Sequence, residues 1–339
     1  MSQIRVGEFA EYLNAYPLDP NWMLRQEESG MNNTTRMVYS DGEKFVLRVY
    51  ENHRNDAFIR TEHEILYELQ RHQLSFEVPR PVLNHASDSV TIGSDGKLAA
   101  LYRYINGNRP RPDFDSHISG LGYAAGELSL ALAGLTLKPE TFPQYKPYYE
   151  LEEIHGSMSA EVLIGLCERS ERLLKSREKL DGLQRAREQL AALRNHIAGL
   201  QPQWIHGDIV FTNAVAEGDR ITGLLDFEFC TMDVRAMELA VALAEFPSED
   251  EEEAFRRIEL FCSGYGEAAK LTEEEVQLLP ALIKIRMIDV WLHFAGRLFE
   301  GMDSEAIWHD QIERASFVCN WVDRWNEELV NLFRRHLIS

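Results

Sequence analysis

Residues 204–229 read WIHGDIVFTNAVAEGDRITGLLDFEF, and no other stretch constrains the fold as strongly. Two short apolar runs, Ala214 to Ala216 and Ile221 to Leu225, flank Glu217-Gly218-Asp219-Arg220. A polar segment of that length containing a glycine is a common hairpin loop, so the runs predict the arms of a β-hairpin. Asp208, Asn213 and Asp226 then meet at one end of the hairpin. Each of these residues alone reads as a turn former; together, with the hairpin and its apolar flanks, they form a consistent chemical set.

That set suits phosphoryl transfer from ATP. A hydroxyl is a poor nucleophile at neutral pH, and a carboxylate within hydrogen-bond reach orients it and accepts its proton. Asp208, just after the His206-Gly207 corner, fits that role, whereas His206 itself reads as a structural histidine. Magnesium prefers hard oxygen ligands and keeps some of its water, so the Asn213 amide oxygen and the Asp226 carboxylate suffice to bridge Mg2+ to ATP phosphates.

At 339 residues the chain has room for two lobes, and its 45% hydrophobic content supplies a core without disulfides or a structural metal. Cys167, Cys230, Cys262 and Cys319 show no ligand spacing and read as reduced thiols of a cytoplasmic protein. No apolar run is long enough for a membrane span, and MSQIRVGEF lacks the features of a signal peptide. The net charge of -20 disfavours nucleic-acid binding and suits a neutral or cationic small molecule.

Taken in order, Ile4, Phe9, Tyr12, Leu13 and Tyr16 predict a short helix closed by Pro17. Trp22 to Ser29, Thr34 to Tyr39 and Lys44 to Tyr50 predict strands, the last two joined by the tight turn Ser40-Asp41-Gly42-Glu43. The turn Gly30-Met31-Asn32-Asn33 suits a phosphate-covering loop. Asn55 to Gln73 reads as a helix, and Val82 to Ala86, Ser89 to Gly93 and Lys97 to Tyr104 as further strands. The composition shifts at Asn106 to Pro112, giving a predicted first domain of residues 1–105 and a second of 106–339. The second is helical: His117 to Leu135, then Ser159 to Leu200 with a break near Leu180-Asp181-Gly182, then 276–299 and 304–336 as two long helices. Ser248 with Glu251 and Thr272 with Glu275 match the capping box. The Trp308, Trp321 and Trp325 series reads as core packing.

HGDIVFTN followed by LLDFEF resembles the catalytic-loop and metal-binding signature of the aminoglycoside phosphotransferase, choline kinase and type II homoserine kinase superfamily. The resemblance implies an α+β, protein-kinase-like two-lobed fold, with a small mixed-sheet N-lobe and a larger, mostly helical C-lobe. Asp208 matches the catalytic aspartate of that family, Asn213 and Asp226 its magnesium ligands, and Glu228 stands where protein kinases have glycine. GMNNTTRMVYSDGEKFVLRVY is similar to the phosphate-covering hairpin, which implies ATP contacts from Gly30, Asn33 and Thr34. Arg48 occupies the position of the usual phosphate-binding lysine, and RTEHEILYEL supplies Glu62 as its helix partner. LYRYINGNRP resembles the hinge, where backbone atoms of Tyr102, Tyr104 and Ile105 hold adenine. MDVRAMELAVAL places Asp233 and Glu238 at positions often acidic in the family. The implied activity is transfer of the ATP γ-phosphoryl to a small-molecule hydroxyl, with homoserine or an aminoglycoside as leading acceptors. Competing readings are a stress-response protein Ser/Thr kinase and a pseudokinase that binds nucleotide without transfer, the latter prompted by Arg48.

Overall fold

The computed structural model describes residues 6–26, 33–51 and 55–339. The chain divides into two compact units. One comprises residues up to Arg109 with Leu135–Gln144 and Val215–Glu228; the other comprises Pro110–Gly134, Tyr145–Ala214 and Phe229–Ser339.

The first unit begins with α1 (Val6–Leu13), β1 (Met23–Gln26), β2 (Asn33–Ser40), β3 (Glu43–Tyr50) and α2 (Ala57–Leu69). It continues with β4 (Arg80–Pro81), β5 (Thr91–Ile92) and β6 (Leu98–Arg103). The strands form one antiparallel sheet in the order β1-β2-β3-β6-β4, with β5 also on β6. β2 and β3 are joined by Asp41 and Gly42, whose φ angles of 47° and 78° are those of a hairpin turn that twists with its strands.

Alternation along the strands gives the sheet two faces with different tasks. Val38, Phe45, Leu47, Val49, Ala99 and Leu101 point to one side, where Phe9, Tyr12, Leu13 and Tyr16 of the opening helix and its exit cover them. On the opposite face the register aligns Met37, Val46 and Tyr102 in one row and Thr35, Arg48 and Ala100 in the next. Those rows line the cavity described below.

The second unit runs through α3 (Asp115–Ala133), α4 (Leu151–Ile154), α5 (Ala160–Cys167), α6 (Glu171–Leu174), α7 (Arg177–Ala192) and α8 (Arg194–Ile197) to β7 (Pro202–Ile205). The predicted hairpin follows as β8 (Ala214–Glu217) and β9 (Arg220–Leu224), with Gly218 at φ 60° in its turn. From Val215 onward it belongs to the first unit. There Ala216 exchanges backbone hydrogen bonds with Asn108, while Glu77 N–H donates to the Thr222 carbonyl and Leu224 N–H to the Glu77 carbonyl. The first unit thus extends beyond residue 105 because the hinge segment and the hairpin share backbone bonds.

β10 (Thr231–Val234) pairs antiparallel with β7, and α9 (Ala236–Leu243), α10 (Glu251–Ala268), α11 (Glu273–Phe299), α12 (Glu305–Arg324) and α13 (Asn326–Leu337) complete the second unit. α3 and α10 approach backbone to backbone. A Cβ added at Gly122 would lie 2.1 Å from the Phe261 carbonyl oxygen, and one at Gly264 would lie 1.9 Å from that of Ser119. Thr272 and Glu275 form the expected capping box of α11.

Several expected boundaries move, each for a local reason. Residues 82–86 are not a strand, because Asn84 Oδ1 accepts the N–H groups of Ala86 and Asp88 and folds the segment into a turn. α7 runs unbroken through Leu180-Asp181-Gly182; the helix starts lie instead at Ser159 and Ser170, whose hydroxyls accept N–H groups of the first turn. Asp250, not Ser248, caps α10 by accepting the Glu253 N–H. The helix expected over 304–336 divides at Trp325, which leaves helical geometry at φ -108°, ψ 20° with its ring against Phe255. The four cysteines are buried and none forms a disulfide.

Candidate active site

In the first unit, the sheet face opposite α1 lines a cavity of about 810 Å³. Its walls include Thr35, Met37, Val46, Arg48, Pro79 and Tyr104, with Glu62, Tyr102, Ile105, Arg109, Leu225 and Asp226. The volume and the apolar walls with a few charged groups at one end are those of a site for a molecule of nucleotide size.

The charged end is built around Arg48. Its Nη1 lies 3.0 Å from Asp226 Oδ1, 3.6 Å from Glu228 Oε2 and 4.0 Å from Glu62 Oε1. Glu62, the expected partner, is therefore the most distant of three carboxylates. Neither Arg48 Nη1 nor Asp226 Oδ1, both buried, finds an aligned hydrogen-bond partner among the described residues, so the contact is ionic. Asp226 has φ 65°, a backbone region unusual for a residue with a side chain. Glu228 accepts from Asn33 Nδ2 at 2.7 Å and is nearly buried, which binds the start of β2 to the segment after β9.

Behind Arg48, burial pushes the Glu62 carboxyl up to about 7, with Arg48 opposing the shift. Glu62 accepts long hydrogen bonds from the hydroxyls of Tyr50 and Tyr102, 3.4 Å each. Those hydroxyls lie 2.9 Å apart, and Tyr102 also meets His63 Nε2 at 2.9 Å. Burial holds His63 down to about 3, so it serves this network as a neutral imidazole.

The expected nucleotide residues are distributed unevenly. Gly30 lies outside the described residues. Asn33 is held by Glu228, and Thr34 turns its hydroxyl to Glu51 Oε1 at 2.8 Å. Thr35, one residue on and so on the other strand face, lines the cavity in place of Thr34. Tyr104 and Ile105 line it as well, but the Tyr104 N–H is already given to the Lys44 carbonyl at 3.1 Å. Arg109 is also part of the wall.

In the second unit, Asp208 follows a corner made by Gly207 at φ 78°. A Cβ there would be 3.2 Å from the Phe229 carbonyl oxygen, so glycine serves both the angle and the space. Glu238 of α9, fully buried, accepts the N–H groups of His206 at 2.5 Å and Gly207 at 3.1 Å. Burial pushes its carboxyl up, and His206 and these donors work against that. His206 is itself fully buried and accepts the Asp208 N–H through Nδ1 at 3.2 Å, which confirms its structural reading. Asp233 likewise organises backbone, accepting N–H groups of Tyr148 and Val234 at 2.6 Å each. Burial moves its carboxyl up to about 7.

Asn213 Nδ2 donates to the Asp208 carbonyl at 3.0 Å and to Asp208 Oδ2 at 2.8 Å. The amide nitrogen is thereby committed and the amide oxygen is left as a hard ligand atom. Sequence reasoning missed four neighbours of Asp208. Arg286 on α11 donates to Asp208 Oδ1 at 2.6 Å and to Tyr148 Oη at 3.1 Å. Tyr148 donates in turn to the Gly207 carbonyl at 2.8 Å, and His155 Nε2 lies 2.8 Å from Asp289, one turn beyond Arg286. Nothing local in the sequence marks them, since they lie far from the 204–229 stretch.

The donor set suits magnesium. In the second unit Asn213 has its amide oxygen for a cation and in the first Asp226 has its carboxylate, each a hard oxygen donor of the kind magnesium takes, and among the described residues no cluster of three or more His, Cys, Asp or Glu is arranged to hold a metal.

This geometry, an α+β chain with a nucleotide-sized cavity on an antiparallel sheet and a clamped aspartate in a helical unit, is that of a protein-kinase-like phosphotransferase. Residues 24–271 match the model of the phosphotransferase enzyme family, and the chain belongs to that family. Similar proteins include homoserine kinase of Bradyrhizobium diazoefficiens, 24% identical over 84% of this chain and 82% of that one. Homoserine kinase of Brucella ovis is 25% identical over 84% and 81%. Among solved structures, amicoumacin kinase hAmiN in complex with AMP-PNP, Ca2+ and Ami superposes with a TM-score of 0.71 at 15% identity, covering 95% of this chain and 94% of that one. A microcompartment-associated aminopropanol kinase gives 0.66 at 17%, covering 96% and 98%. The protein is an ATP-dependent kinase acting on a small-molecule hydroxyl. Among the described residues no helix is long and apolar enough to cross a membrane.

Proposed function

We propose that the protein transfers the γ-phosphoryl group of ATP to the hydroxyl of homoserine or a closely related small amino alcohol, with Mg2+, in the cytoplasm. The observation that carries the reaction is the state of Asp208: one carboxylate oxygen takes a hydrogen bond from Asn213 and the other from Arg286, so the group is held still yet keeps lone pairs for a proton. Support for the acceptor comes from the homoserine kinases, which match along most of this chain.

In this reading residues 1–105 are the core of the ATP-binding lobe and 106–339 carry the catalytic and acceptor-binding functions. Arg48 and Gly30 bind ATP phosphates, while Thr35 and backbone atoms from Tyr102 to Ile105 take the sugar and base. Glu62 steadies Arg48. Asn213 and Asp226 would be the protein's ligands to magnesium, which would supply neutralisation of phosphate charge. Asp208 orients the acceptor hydroxyl and takes its proton as oxygen attacks phosphorus. ADP leaves with the bond electrons.

The test is phosphate transfer from ATP with Mg2+ to homoserine and to a panel of amino alcohols and aminocyclitols, with Asp208→Asn alongside. Homoserine should give the highest kcat/KM, and Asp208→Asn should lower kcat by about 10²-fold or more. Preference for another acceptor would overturn the substrate, and an unimpaired Asp208→Asn enzyme would overturn the base.

A further inference from the structure

The loop from Asp208 to Asn213 contains Ile209, Val210, Phe211 and Thr212, none of them cationic. The cation beside Asp208 comes from α11, across a separation of 78 residues in sequence. We propose that Arg286 is a positioning residue: it fixes the rotation of the Asp208 carboxylate so that a free lone pair faces the acceptor hydroxyl. The proposal rests on the reading of Asp208 as the base.

A carboxylate with a donor on one oxygen only can still turn about its Cβ–Cγ bond. Asp208 has one donor on each oxygen, Asn213 Nδ2 at 2.8 Å and Arg286 Nη2 at 2.6 Å, and that pair of bonds sets the plane of the group. Each ionised oxygen keeps a further acceptor site, so the clamp orients the base without occupying it.

Arg286 is itself over-determined. Nη1 donates to Tyr148 Oη, the guanidinium carbon lies 5.6 Å from the centre of the Tyr148 ring, and Tyr148 is anchored on the Gly207 carbonyl. Asp289 lies 3.9 Å from Nη1 and is fixed by His155. Arg286 and Asp208 are 19% and 20% exposed, so water screens the pair only partly. α11 does not need Arg286 for its own packing, which rests on Leu282, Ile283, Ile285, Ile288 and Trp291. The arginine points instead at the reacting carboxylate, as a support shell for a base should.

The experiment measures kcat and KM separately for Arg286→Ala, Arg286→Lys and Tyr148→Phe, with Asp208→Asn as control and added methylguanidinium as a probe. Misplacement of a catalytic group by about 1 Å costs on the order of 10²-fold in rate, so Arg286→Ala should lose about that in kcat, with the KM for ATP changed less than about threefold. Methylguanidinium should restore Arg286→Ala by about tenfold or more and do nothing for Asp208→Asn. Arg286→Lys keeps the charge but not the fork, so it should fall by about tenfold; it carries the test if the alanine variant does not fold. Tyr148→Phe should fall less than Arg286→Ala. The inference is overturned if Arg286→Ala or Arg286→Lys retains kcat within about twofold. It is equally overturned if the loss appears in KM alone, or if methylguanidinium restores nothing in a folded Arg286→Ala protein. An active Asp208→Asn enzyme defeats the underlying reading; an inactive one with intact Arg286→Ala defeats only the positioning role.

Discussion

Replacing Glu238 separates what holds the corner before Asp208 from the chemistry proposed for Asp208. The side chain is fully buried, and its two oxygens accept the N–H groups of His206 and Gly207, the two residues before Asp208. A hydrogen bond to a charged group contributes about 1.5–3 kcal/mol, so Glu238→Ala loses about 3–6 kcal/mol from the two together. Part of this returns, because burial already penalises the carboxylate and pushes its pKa up. The net expectation is a loss of about 2–4 kcal/mol, with Glu238→Gln losing somewhat less because its amide oxygen still serves one N–H. Urea unfolding followed by tryptophan fluorescence reads the effect in the right place: Trp204, Trp291, Trp308, Trp321 and Trp325 all belong to the second unit. The corner also sets Asp208, so kcat should fall by about tenfold or more while the KM for ATP stays nearly constant. An alanine variant with its unfolding free energy within about 0.5 kcal/mol of the parent and an unchanged kcat would refute the reasoning.

Three further outcomes are expected. Arg48→Ala should raise the KM for ATP by about tenfold or more, and Arg48→Lys should give an intermediate value, since lysine keeps the charge but not the fork that meets Asp226 and Glu228; steady-state kinetics at several Mg2+ concentrations reads both. Glu62 has a carboxyl pushed up to about 7 by burial, so the native state binds its proton more tightly than the unfolded chain does. Its contribution to stability is present at acid pH and is lost as pH rises from about 4.5 to about 7, on the order of 3 kcal/mol in all. Glu62→Gln should remove that slope from unfolding measurements across this range, and a slope identical to the parent's would count against the assignment. Gly264→Ala places a carbon 1.9 Å from a carbonyl oxygen and should destabilise by about 2 kcal/mol or more in thermal melts.

Part of the candidate residue set is legible in sequence because its spacing is local. Asp208, Asn213 and Asp226 fall within one stretch whose apolar runs announce a hairpin, and the hairpin is present. The strand pattern of the sheet is equally readable, but its register is weaker information. Thr34 and Thr35 are chemically alike, and one step along a strand decides which of them faces the cavity. Arg286, Tyr148, Asp289 and His155 are harder, since only tertiary packing gathers them around Asp208 and its partner Arg286, and their neighbours in sequence carry no signature. Glu238 is an intermediate case: its position invites attention, yet its job, satisfying two backbone N–H groups, is visible only in three dimensions. Likewise Trp325 ends a helix through a tertiary ring contact that helical periodicity does not encode.

The backbone contact between α3 and α10 has a genetic consequence. Every missense change in a glycine codon adds a side chain, so at Gly122 and Gly264 there is no mild amino-acid substitution to sample. A library of randomly mutated genes selected for kinase activity should therefore come back unaltered at those two codons, while neighbouring positions on the exposed faces of the same helices accumulate changes freely.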